Sequence, residues 1–214
     1  MYKRHQKTNM SNIKDHWETV FATKAETEVS WFQAYPKTSI EFLELFDLPL
    51  DANIIDIGGG DSHFVDVLIE RGYKNIYVLD ISENALIRAK QRLGATAALV
   101  HWIVTDVTEF KPEVKFDFWH DRAAFHFLTT DDRIDKYVQI AENNIKPDGY
   151  LILGTFSENG PQKCSGLEIK QYSEASMSNR FEKKFKRIRC ISEDHLTPFN
   201  TTQNFLFCSF QKSK

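Results

Sequence analysis

The stretch Asn53 to Ser82, NIIDIGGGDSHFVDVLIERGYKNIYVLDIS, decides how the chain is read. It opens on a short apolar run, Ile54 to Ile57, interrupted only by Asp56. Three glycines follow, Gly58 to Gly60. Phe64, Val65, Leu68 and Ile69 then recur at helical spacing until Arg71-Gly72. A second apolar run, Ile76 to Leu79, ends at Asp80. Strand, glycine turn, helix, strand and acid make half of a nucleotide-binding βαβ unit. Glycines without a Cβ let the backbone approach a ligand closely. Asp80 follows Gly58 at close to the spacing of about 20 residues at which an acid accepts from ribose hydroxyls.

The turn also says which nucleotide it suits. Gly58 and Gly60 fit Gly-x-Gly-x-x-Gly, but His63 occupies the last position, where a small residue packs the helix over a pyrophosphate. A Gly-Lys-Ser/Thr phosphate loop is absent. Asp56 and Asp61 flank the glycines, so the rim reads as acidic and suited to a cationic ligand. Asp56 to Gly60 resembles motif I of the class I S-adenosylmethionine-dependent methyltransferases. Ser62 stands where many members carry a third glycine, and can cap the helix that starts there. The resemblance implies S-adenosylmethionine as cofactor, with Asp56, Gly58, Gly59, Gly60, Asp80 and Ile81 as binding residues. It extends over roughly Ile54 to Phe210 and implies a Rossmann-like α/β fold. That fold has seven strands: a mostly parallel central sheet, an antiparallel last strand and helices on both faces.

Outward from this unit, Ser82 is expected to cap a helix stopping at Gly94, and Leu99 to Val104 reads as the third strand. It leads to Asp106-Val107, where members of the superfamily bind adenine. The resemblance implies that Asp106 accepts from the exocyclic amine and Val107 packs on the ring; capping of the strand end is the plainer alternative. Phe116 to Trp119 reads as the fourth strand and runs into HDRAAFHFL. Ligands in open α/β sheets lie beyond the carboxyl ends of the strands. His120, Asp121, Arg122 and His126 are therefore the candidate catalytic residues. His126 or His120 would be the base, Asp121 its orienting partner and Arg122 the ligand of an anionic acceptor. His126 follows Arg122 by four positions, so a helical turn would bring them to one face. The Asn/Asp-Pro-Pro-aromatic motif of base-methylating enzymes is absent. "IKPDGYLILGTF" resembles the superfamily's turn into the fifth strand, and Phe185 to Ile191 and Phe205 to Phe210 read as a terminal hairpin. The loop Phe156 to Ser173 holds Cys164, read as inert or as a substrate or soft-metal ligand.

Before the glycine unit, Trp17, Val20 and Phe21 have helical spacing and Val-Ser-Trp-Phe-Gln follows. This combination resembles the N-terminal arm of thiopurine-methyltransferase-like enzymes. The resemblance implies an arm, residues 15–50, that folds over the cofactor and brings Trp31 against it. Residues 1–14 are polar and basic and read as a disordered tail ahead of a single domain, 15–214.

Composition narrows the partners. A net charge of −3 gives no basic field for nucleic acid, and no apolar run is long enough to cross a bilayer. Cys164, Cys190 and Cys208 are odd in number and widely spaced, which suggests neither a zinc ribbon nor a disulfide scaffold. The expectation is a cytoplasmic monomer or homodimer acting on a small-molecule acceptor, with no metal, nucleic acid or membrane. A protein lysine methyltransferase and a non-catalytic nucleotide-binding module are the alternatives.

Overall fold

The computed structural model describes residues 2–214, with side chains from residue 12 onward. The stretch expected as a tail falls partly outside these: Met1 is not described, and the backbone from Tyr2 belongs to helix α1 (Tyr2–Thr23). Then follow α2 (Lys37–Glu44), β1 (Asn53–Ile57), α3 (Phe64–Glu70), β2 (Asn75–Asp80), α4 (Glu83–Leu93), β3 (Val100–Val104), β4 (Phe116–Arg122), α5 (Asp131–Asn144) and β5 (Ile145–Phe156). A two-residue ladder, β6 (Lys163–Cys164) with β7 (Leu167–Glu168), leads to α6 (Glu174–Phe181) and the hairpin β8 (Phe185–Leu196) and β9 (Thr202–Lys212).

The main sheet has seven strands in the order β3-β2-β1-β4-β5-β9-β8. β3 through β5 are mutually parallel, and β9 is antiparallel to both β5 and β8. This is the Rossmann-like methyltransferase arrangement expected above. Its inner strands are covered on both faces, so they are apolar nearly throughout. Side chains alternate between the faces. On one side Ile55, Trp119, Leu151 and Cys208 pack with Tyr137 of α5 and Phe181 of α6. On the other, Ile54, Phe118, Ile152 and Phe207 pack with Phe42 of α2 and Phe64 of α3. A third, smaller cluster joins Trp17, Val20 and Phe21 of α1 to Ala85 of α4.

Two sequence expectations are corrected. β4 does not stop at Trp119 but continues to Arg122. A turn with Ala123 at φ 66° and a 3₁₀ turn, Phe125–Phe127, then replace the expected helical turn. The second correction concerns the cysteines. Cys190 and Cys208 form a disulfide across the hairpin, because the β8–β9 register sets them directly opposite, with Cα atoms 4.1 Å apart.

Candidate functional site

The carboxyl ends of β1 to β4 surround two adjoining cavities, of about 130 and 60 Å³. The larger lies over β2 and β3 and is lined by Asp80, Ile81, Thr105, Asp106 and Val107. The smaller lies over the glycine turn, with Asp56, Gly58, Gly59, Gly60 and His120 in its wall. Phe21, Trp31, Gly58 and Arg122 line both.

The glycines are required by the space they leave. A Cβ on Gly59 would lie 2.6 Å from Asp56 Oδ2 and 2.9 Å from Val78 Cγ1. One on Gly60, at φ +41°, would lie 2.8 Å from Asp80 Oδ2. The turn thus packs against both acids. Asp80 is buried and accepts the Ser82 N–H at 2.8 Å. Burial raises its carboxyl to about 7, helped by the nearby charges of Asp56 and Glu18 and opposed by the Ser82 hydrogen bond.

The acidic rim expected around the turn is partly neutralised. Asp61 pairs with Arg88 at 2.8 Å and Arg92 at 2.5 Å. Asp56 Oδ1 lies 2.7 Å from His120 Nδ1, and His120 Nε2 lies 2.9 Å from Ser39 Oγ of α2. Asp56 Oδ2 is buried with no partner among the described residues. The free negative capacity therefore narrows to Asp56 Oδ2 and Asp80. An orphaned carboxylate oxygen and a glycine cradle that a Cβ would fill are features that an ammonium-bearing adenosyl ligand fits.

Asp106 is engaged more fully than expected. It accepts from Thr108 N–H at 2.8 Å and pairs with Arg133 at 2.7 Å. A carboxylate has about four lone-pair sites, so a further donor can be accommodated. Arg133, in the first turn of α5, was not legible as a site residue.

The cavities are roofed from the amino-terminal side. Trp17 and Phe21 of α1 meet Trp31, with Trp17 and Trp31 edge-to-face at 5.6 Å; Trp17 also meets Phe127 at 5.0 Å. Glu18 fixes α1 to the start of α4, accepting from Glu83 N–H at 2.9 Å, Asn84 N–H at 3.0 Å and the Ser82 hydroxyl at 2.7 Å. His195 of β8 donates from Nε2 to the Ser30 carbonyl at 2.8 Å, which secures the segment carrying Trp31. Its Nδ1 lies 3.3 Å from Gln33 Nε2.

The four candidate catalytic residues do not converge. Residues 120 to 122 continue a strand and alternate in direction. Asp121 therefore shares Trp119's face: it accepts from Ala124 and Phe125 N–H groups, each at 3.0 Å, and from the Tyr137 hydroxyl at 2.8 Å. It lines neither cavity, and burial raises its carboxyl to about 6. His126 is also buried away from both cavities, accepting from Phe156 N–H at 3.3 Å. Burial, with help from the Arg122 charge, lowers it to about 3, so it is neutral and a weak base. His120 reaches the smaller cavity, but both ring nitrogens are engaged. Of the four, only Arg122 lines both cavities. Its Nη1 donates to the Trp31 carbonyl at 2.9 Å. Cys164 lines the larger cavity as a thiol, pushed up to about 12 by burial. Among the described residues no cluster of His, Cys, Asp and Glu could hold a metal ion.

A seven-stranded sheet of this order, with a glycine turn and an acid at successive strand tips, defines a nucleotide-binding α/β protein of the methyltransferase type. A family model described as a methyltransferase domain matches residues 50–204. The chain belongs to this family, the class I S-adenosylmethionine-dependent methyltransferases, and S-adenosylmethionine is its cofactor. Among curated proteins it is 27% identical over 119 residues to the mouse "eEF1A lysine and N-terminal methyltransferase", covering 55% of this chain and 17% of that one. It is 27% identical over 112 residues to "Malonyl-[acyl-carrier protein] O-methyltransferase 2" of Ilyobacter polytropus, covering 50% of this chain and 40% of that enzyme. The match thus spans well under two thirds of either relative. The N-methyltransferase NodS of Bradyrhizobium japonicum, solved with S-adenosyl-L-homocysteine, superposes with a TM-score of 0.70 at 15% identity, over 92% of this chain and 98% of that one. At that identity the likeness shows the fold. No helix among the described residues is long and apolar enough to cross a membrane.

Proposed function

We propose that the protein transfers the methyl group of S-adenosylmethionine to a small-molecule acceptor. The observation that carries this reading is the roof: Trp17, Phe21 and Trp31 cover the cavities over the strand tips. Such a covered site suits an acceptor small enough to be enclosed.

The cofactor, when bound, supplies an electrophilic methyl on a sulfonium. This chain's residues hold it. Asp80 would accept from the ribose hydroxyls, Ile81 and Val107 would pack on the adenine, and Asp106, beside Arg133, would accept from its amine. The Gly58 to Gly60 backbone would take the methionyl portion, and Asp56 would accept from the ammonium. Trp31 would supply an aromatic surface that a positive sulfur favours. None of the expected bases is free in the cavities, because His120 is bonded at both nitrogens and Asp121 and His126 sit elsewhere, while His63 of the smaller cavity is turned to Glu26 at 3.3 Å. Catalysis is then alignment of the acceptor and exclusion of water, and the acceptor enters with a lone pair already available.

Methyl-labelled cofactor incubated with the protein and a cell extract tests this, with label separated by mass. Label in the small-molecule fraction is the expected result. Label on protein lysines would replace this reading with the lysine methyltransferase one. Cofactor binding with no transferred label would mark a non-catalytic module.

A further inference from the structure

Arg122 carries a feature that donor binding leaves unused. Its Nη1 is committed to the Trp31 carbonyl. Its Nε and Nη2 are shut off from solvent and have no hydrogen-bond partner among the described residues. These two are the atoms that form the side-on fork of a guanidinium, the geometry that matches a carboxylate with two parallel hydrogen bonds. The group lies over the Phe205 ring, Cζ to centroid 5.1 Å, so its plane is supported from below. Burial lowers it only to about 10, so it is cationic at neutral pH. Two carboxylates act on it from nearby, Glu193, which is hydrogen-bonded to Thr38, and Asp56, which is paired with His120, and neither forms an ion pair with Arg122. A dry, charged fork without a counter-ion is costly unless a ligand completes it.

The position of the fork says which ligand. The donor's features run along the strand tips from Asp106 after β3, through Asp80 at the end of β2, to the glycines after β1. Arg122 is one strand further, at the end of β4, and leans on β9 through Phe205 with Cys164 beside it in the cavity wall. That is the side away from the adenosine features. We propose that Arg122 is the specificity residue for the acceptor, and that the acceptor is a small molecule bearing a carboxylate, gripped side-on by Nε and Nη2. The proposal rests on the methyltransferase reading above. The rest of the acceptor packs among Trp31, Phe127 and Cys164, so an apolar or aromatic body next to the carboxylate is the matching shape.

The test uses the full chain loaded with S-adenosylhomocysteine, titrated with benzoate, benzamide and inorganic phosphate and read by tryptophan fluorescence. Benzoate should bind, and benzamide and phosphate should bind at least about tenfold more weakly. Arg122→Lys keeps the charge and loses the fork; it should lose benzoate binding by about tenfold or more. Arg122→Gln should behave the same, and circular dichroism of both variants checks that each is folded. In parallel, S-adenosylhomocysteine and 5′-methylthioadenosine, which lacks the amino-acid tail, are titrated into the wild type and Arg122→Lys. Equal affinities for S-adenosylhomocysteine in both proteins support the acceptor assignment. A tenfold loss of S-adenosylhomocysteine with methylthioadenosine unchanged gives Arg122 to the donor's own carboxylate and overturns it. Tighter binding of phosphate than benzoate, or benzoate binding that survives both variants, overturns it too. Failure of the wild type to bind S-adenosylhomocysteine at all would instead strike the methyltransferase reading.

Discussion

Asp80 sits 7% exposed beneath Gly60, and its carboxyl is raised to about 7. Because the folded value exceeds the ordinary one, the neutral form is favoured in the folded state. Its contribution to stability is fully present below about pH 4 and is lost as pH rises through about 7. Thermal unfolding of the cofactor-free protein should therefore show a fall in stability from pH 5 to 8 that Asp80→Asn flattens. With Asp80 as the proposed ribose acceptor, cofactor binding should run the other way, since the ionised carboxylate is the better acceptor for two hydroxyls. Affinity for S-adenosylhomocysteine should rise several-fold over the same range, and the rise should vanish in Asp80→Asn. Gly59→Ala places a methyl against Asp56 Oδ2 and Val78. It should cost roughly 1–3 kcal/mol of stability and abolish calorimetric cofactor binding. His126, held near 3, cannot titrate in the working range. His126→Asn should leave the shape of the pH–rate profile between pH 6 and 9 unchanged, and a lost acidic limb in that variant would restore it as a base.

At the scale of elements, Glu18 adds a polar clamp to the apolar contact of α1 with α4. Glu18 accepts from two backbone N–H groups that open α4 and from the hydroxyl of Ser82, two residues after Asp80. Glu18→Ala should cost on the order of 1 kcal/mol, about 2–4 °C in melting temperature for a chain of this size, measured by differential scanning fluorimetry. If α1 and the Trp31 segment serve as a closing roof, backbone exchange over residues 12–33 should slow when S-adenosylhomocysteine is added. The glycine unit was legible because a continuous apolar run, a glycine turn and a spaced acid each have one local meaning. The residues after Trp119 were not, because their reading depends on how far β4 extends. Three more residues of strand send Asp121 to the α5 face and leave His120 and Arg122 on the other. The i, i+4 spacing of Arg122 and His126 was real but had no helix to act through. Ser39 gave no signal at all, since its bond to His120 joins elements 81 positions apart. The Cys190–Cys208 pair likewise needed the hairpin register, which spacing alone does not reveal.

Across the whole molecule, the acids proposed to hold the donor and the arginine proposed to hold the acceptor fall on different parts of the sheet. The parallel half, β3 to β1, carries the acids, and Arg122 at the end of β4 leans on the antiparallel half through Phe205. The two halves also differ in when they can form. β9 follows β8 in the chain yet lies between β8 and β5, making 7 residue pairings with β5. A nascent chain leaving the ribosome thus has β8 emerged with no neighbour to join until residues 202–212 arrive. The aromatic that supports Arg122 is delivered by that same late strand. Chains stalled on ribosomes with residue 200 just exposed should be readily cleaved by protease, and those stalled with residue 212 clear of the exit tunnel should resist. The proposed selectivity for an acceptor would then be acquired later in biosynthesis than the adenosine-facing strands, which have already emerged.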